Sequence, residues 1–309
     1  MEETKEFVIF RYSLVEELQR SLIAKPLPDP KGAAILCAID KDREFIVNAV
    51  RYSFVGFSSI IPTAGYDFPL NRFYAGKTAK LRKISKGEKV PGDIVEHQED
   101  DWVPLITIFD LYDQYIFIRR DWRFGTPEQI ARAIQRGLRD PVLENYNHKV
   151  FVEGKVRQDA FWDVVDKSEK IYKVELKLIS PNILETNKKA REALKSLKEL
   201  FEQDEVDLKL SNDSGRLKVP KEPVSDYIDY VSRGEGSWSI VTEGERGGKK
   251  RHSSVENTLT VNLPVPSKLI TDEEKQLEAD TKKPPRKQGL IDAMMVAEVY
   301  RTVKNINEL

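Results

Sequence analysis

The chain has 309 residues, of which 50 are Lys or Arg and 51 are Asp or Glu, for a net charge of −1. That length and an apolar content of 40% are enough for a large core without staples, and the single Cys37, inside the apolar run AAILCAI, excludes a disulfide framework or a cysteine-based zinc site. The near-zero total excludes a surface that is basic all over, but the signs segregate along the chain, so any nucleic-acid reading turns on local patches.

The opening MEETKEF is acidic, no signal-type segment follows, and no apolar run reaches bilayer length, as expected of a soluble cytoplasmic protein. Phe7–Tyr12 reads as a strand, and Ser13 is placed to cap a helix over LVEELQRSLIA with Leu14, Leu18 and Leu22 as its stripe. After the prolines at 26, 28 and 30, Gly32–Asp40 and Glu44–Phe54 are expected as two strands joined by Lys41-Asp42-Arg43, with Val55–Ile61 extending the sheet. Pro62–Pro104 lacks clear periodicity and reads as an exposed excursion or a join between subdomains. Within it Asn71–Lys89 is strongly basic, including Lys80, Arg82, Lys83 and Lys86, and Asp93–Asp101 is almost wholly acidic. The first run is either a phosphate-binding surface or a solvated loop next to its counter-charge.

Pro104–Tyr112 and Gln114–Arg120 point to paired strands, followed by Arg119, Arg120 and Arg123. Thr126, Pro127 and Gln129 then predict a helix opened by a capping box, with Ile130, Ile134 and Leu138 buried. On another face Arg132, Arg136 and Arg139 recur at spacings of four and three, so that three forked donors suited to phosphate, or to neighbouring acids, share one side. Lys149–Val156 and Ile171–Ile179 alternate as half-buried strands around a short helical insert, and each carries Glu-x-Lys: Glu153 with Lys155, Glu175 with Lys177.

Beyond Pro181 a helix is expected over Glu185–Gln203, with Ala190, Leu194, Leu197 and Phe201 toward the core. Val206–Leu210 and Arg216–Val219 read as a hairpin around Asn212–Gly215, Asp226–Val231 as a helical turn, and Ser237–Val241 and Asn257–Leu263 as strands. They flank a glycine-rich basic tip containing Arg246, Lys249, Lys250 and Arg251, a composition suited to phosphates and equally to a soluble hairpin. Pro264–Gln288 reads as a linker to a last helix, Leu290–Ile306, which either packs back or joins a second copy in a homodimer. The expected class is α+β with mixed or antiparallel sheets and packed helices, divided at 1–103, 104–263, 264–288 and 289–309.

Chemistry is sparsely marked. Three histidines in polar settings, no Gly-x-Ser-x-Gly elbow and no phosphate-loop signature argue against nucleophilic catalysis and an NTPase. A divalent-metal nuclease would need carboxylates and a lysine, for which Asp140 or the Asp159–Asp166 insert, Glu153, Lys155, Glu175 and Lys177 are the candidates, with magnesium or manganese as the cofactor. The same Glu-x-Lys pairs are equally ordinary salt bridges.

The strand pair ending near Arg-Phe-Gly, the Thr/Pro-capped helix, the strand KVFVEGKV and the strand at Lys173–Leu178 together resemble the RexA-like and KwaB-like proteins of phage exclusion and anti-phage defence, best over about Gln114–Val219. The resemblance implies a cytoplasmic, dimeric protein that binds double-stranded DNA with little sequence preference. It also implies a part in exclusion or abortive infection, in systems where a membrane-protein partner often carries out the damaging step, and it carries over no catalytic residue, so none is assigned and no cofactor is expected outside the nuclease reading. A protein-binding scaffold using the charged loops is the third class open to the sequence.

Overall fold

The computed structural model describes residues 3–17, 24–179, 188–201, 203–244, 247–265 and 293–308. The fold is α+β, built on two antiparallel sheets. In chain order the first part comprises β1 (Glu3–Glu16), a 3₁₀ turn (Lys31–Ile35) running into α1 (Leu36–Ile39), β2 (Arg43–Val47), β3 (Val50–Ser59), β4 (Phe73–Val90), β5 (Asp93–Asp110), β6 (Tyr115–Arg119), α2 (Pro127–Tyr146) and β7 (His148–Gly154). There follow α3 (Gln158–Lys167), β8 (Ile171–Ile179), α4 (Lys188–Phe201), β9 (Glu205–Ser211), α5 (Lys221–Ser232), β10 (Gly236–Glu243), β11 (Lys249–Ser253), β12 (Thr260–Val265) and α6 (Ala293–Glu308).

The first sheet runs β12-β1-β6-β5-β4-β3-β2, and β7 continues the β12 side of β1 by pairing with Phe10–Glu16. It is covered on both faces, which is why β1 reads as the nearly unbroken apolar run FVIFRY. Val8, Phe10, Tyr12 and Leu14 pack beneath α2 through Ile130, Ile134 and Leu138, while Phe7, Ile9, Phe117 and Ile108 meet Met295, Val299 and Val303 of α6. Helix α2 lies so close to the sheet that a Cβ at Gly137 would fall 2.6 to 2.7 Å from ring atoms of Phe54 and Phe45. The capping box is present: Thr126 Oγ1 accepts from Gln129 N, and Gln129 Oε1 accepts from Thr126 N.

The second sheet runs β11-β10-β8-β9. Val174, Leu176, Leu178, Trp238 and Ile240 pack against Phe161 of α3, Leu194 of α4 and Ile228 of α5, leaving a polar opposite face. The chain leaves the first sheet at Val156 and returns at Thr258, and these two residues form an antiparallel bridge. Lys155 N donates to Ile9 O, and Leu259 N donates to Lys155 O. Between the lobes Arg11 Nη1 lies 3.2 Å from Glu235 and donates to Arg233 O, with both ionic side chains almost fully buried.

Several expectations need correction. Ser13 opens no helix, because Ser13–Glu16 continue β1 against β7; Leu18 and Leu22 lie outside the described residues. Gly32–Asp40 is helical rather than extended, burying Ala34, Ile35, Ala38 and Ile39 near α2, and the β2–β3 turn is Asn48-Ala49, both at positive φ. Pro62–Pro104 holds β4 and most of β5, so a boundary at 103 would cut through β5. Phe201 is 71% exposed. Arg216 forms only an isolated parallel bridge to Ile171, and no Arg216–Val219 strand returns along β9. The last helix packs back on its own sheet, so its apolar stripe is not a free dimer seam. Past Val265 the expected linker lies outside the described residues.

Candidate nucleic-acid interface

Strands β4 and β5 pair along their whole length, from Phe73 with Asp110 to Val90 with Asp93. Beyond Lys80 the outer edge of β4 has left β3, and β5 meets β6 only from Thr107. Residues 81–102 therefore form a two-stranded arm. The basic run lies in β4 and the acidic run directly opposite in β5: Arg82 faces Asp101, Lys83 faces Asp100, and Lys86 binds Glu99 at 3.3 Å, a carboxylate also 2.9 Å from His97. With three basic and five acidic residues from Lys83 to Asp100, the outer arm is net acidic and does not attract phosphate. Arg72, the first cation of the run, is buried against Asp110 and Asp113.

The root of the arm is different. The β6–α2 connection passes beside it in a tight turn: Asp121 Oδ1 accepts from Arg123 N and Nε, Asp121 Oδ2 accepts from Arg123 Nη2 at 2.7 Å, and Phe124 N donates to Asp121 O. The Arg123 bond, with burial opposing it, holds the Asp121 carboxyl below the usual carboxylate range. Gly125 follows at φ +136°, where a Cβ would fall 2.1 Å from the Gln129 amide oxygen that completes the helix cap. Phe124 is buried, and its carbonyl accepts from Lys80 Nζ at 2.6 Å; burial, then Arg82, lowers the Lys80 pKa. Trp122 points outward, 82% exposed, with the Arg82 guanidinium carbon 5.9 Å from its ring centre. Arg120 binds Glu6 at the surface, Arg119 adds its field to Asp121, and Asp101 adds its field to Arg123. Thus Lys80 and Arg82, from a separate stretch, are brought to the turn that carries Trp122 and Arg123, with Arg120 just before it, whereas Arg119, paired with Phe7 of β1, lies on the α6 face of the sheet.

No family model, curated protein or solved structure matches the chain.

The other candidates lie elsewhere. Arg132 and Arg136 pair along α2 with Glu128 and Asp140 at 2.9 and 3.0 Å, all about half exposed. Such pairs are weak enough to be given up for a phosphate. Arg139 instead lines a crevice of about 380 Å³ with Lys149, Asp204 and Glu205. On the second sheet Lys249 sits over Tyr172, Arg251 donates to Ser239, and Lys250 lines a groove of about 750 Å³ with His252 and Arg157; Arg246 lies outside the described residues.

Of the nuclease residues Glu153 and Lys177 lie in each other's field, and the rest do not gather there. Asp140 is engaged by Arg136 on the outer face of α2, Glu175 by Lys173 and Ser239, and Lys177 by Glu205 at 2.9 Å. Glu153 lies opposite Arg11 between the lobes; burial pushes its carboxyl up to about 7, with Lys177 opposing. Burial likewise brings the Lys155 amine down to about 8. Among the described residues no group of three or more His, Cys, Asp and Glu is placed to hold a metal ion, and no helix is long and apolar enough to cross a membrane. Sequence reading missed Trp122, whose only signal was a tryptophan inside the cationic run RRDWRFG.

Proposed function

We propose that the protein binds double-stranded DNA through phosphate contacts at the root of the β4–β5 arm. The observation that carries this reading is the meeting of Lys80 and Arg82 with the turn that follows Arg120 and holds Arg123, on a chain whose net charge is −1. Cations that neutralise phosphates release condensed counterions, so affinity falls steeply with salt and carries little sequence information. The resemblance to RexA-like and KwaB-like proteins gives the binding its setting: a dimeric cytoplasmic sensor or effector of phage exclusion, working with a membrane-protein partner.

The test is a gel-shift titration on linear duplex across a range of salt, with and without magnesium or manganese. A salt-sensitive shift with intact DNA is expected, and Arg82→Ala with Arg120→Ala should weaken binding and shallow the salt slope by about 1 for each contact removed. Unchanged binding in that double variant would refute the site, and cleavage in metal would refute the non-enzymatic reading. A second reading, protein docking by the outer arm, is favoured by Ile94 and Val95, which stand 67% and 49% exposed on a ribbon that is net acidic.

A further inference from the structure

Trp122 is the most exposed of the large apolar side chains among the described residues. A solitary exposed apolar residue needs no explanation, but this one is presented rather than left loose. Asp121 and Arg123 fix the turn on one side of it, buried Phe124 anchors the other, and Lys80 ties the Phe124 carbonyl to β4. The indole is therefore held out from a rigid frame with the Arg82 guanidinium beside it.

A phosphate surface for intact duplex has no use for a flat aromatic face, because paired bases are stacked on one another and offer only their edges. An unpaired base does offer a face, and stacking on an aromatic side chain beside backbone-binding cations is how single-stranded segments are held. The charge of the arm points the same way. Its outer acidic part repels a duplex lying along it, which confines the footprint to the root.

We infer that Trp122 is a stacking platform for an unpaired base, and that the arm root takes duplex DNA bearing a single-stranded extension in preference to blunt duplex. This rests on the proposal that the arm root binds DNA. Fluorescence anisotropy on the full chain would compare a blunt duplex with the same duplex carrying a short extension on one strand. The extended probe should bind about tenfold more tightly, the ratio given by one well-stacked base. Trp122→Ala should bring the two probes to parity, with its thermal unfolding showing that the variant is folded, and Trp122→Phe should keep most of the preference. Equal binding of both probes by the unaltered protein, a preference that survives Trp122→Ala, or an equal loss on both probes would overturn the inference while leaving DNA binding in place. Absence of binding to either probe at low salt would overturn both.

Discussion

Glu153→Gln tests the charged layer between the lobes. The folded protein raises the Glu153 pKa from 4.5 to about 7, chiefly by burial, with Lys177 opposing and Glu205 and Glu128 adding to the rise. A carboxyl whose pKa is higher folded than unfolded contributes stability in full below about 4.5, and that contribution is lost as the pH rises through about 7. The difference, about 2.5 on the pH scale, corresponds at roughly 1.4 kcal/mol per pH unit to about 3 kcal/mol, and partial contact with solvent reduces it to about 2 kcal/mol. Glutamine keeps the shape without the charge. The variant should therefore be more stable than the unaltered chain by about 2 kcal/mol above pH 8, with the gain vanishing near pH 4.5. Urea unfolding at intervals between those limits measures it. A gain independent of pH, or a loss at high pH, would refute the reasoning, the second by showing that Lys177 holds the ionised carboxylate favourably. Lys155, brought down to about 8, has the opposite sign: its contribution is present at high pH and lost as pH falls through about 8, and this slope should remain in the variant.

Arg11→Ala removes the guanidinium beside buried Glu235 and should cost about 3 kcal/mol in chemical unfolding, because breaking one side of a buried ion pair is expensive. Thr126→Ala should cost about 1 kcal/mol through loss of the α2 cap, seen as a lower denaturant midpoint with an unchanged slope.

Legibility in the sequence followed how one-sided each element's surroundings are. Helix α2 could be read residue by residue because Thr126, Pro127 and Gln129 act locally and one stripe alone is buried. The strands β7 and β8 alternate because each has a wet and a dry side. The run AAILCAI has no polar face to set a period, so its helical form comes from packing near α2 and could not be told from a strand. In the arm both faces are wet, which removes the apolar alternation that marks a strand, and the charge runs there looked like a loop. Of the candidate site, the cations were visible individually. Their grouping was not, because the ladder that brings Lys80 and Arg82 to the 119–123 turn is a long-range pairing.

The antiparallel bridge between Val156 and Thr258 bears on how the first sheet can close at all. On paper β7 and β12 are held apart by a loop of about a hundred residues, whose closure entropy would have to be met before β12 could settle beside β1 next to β7. The intervening chain folds on a core of its own, so its two ends arrive already side by side, and the effective loop is only as long as the bridge. Topologically the second lobe is a guest in the first sheet, fastened to its host by that bridge and by the buried Arg11–Glu235 pair.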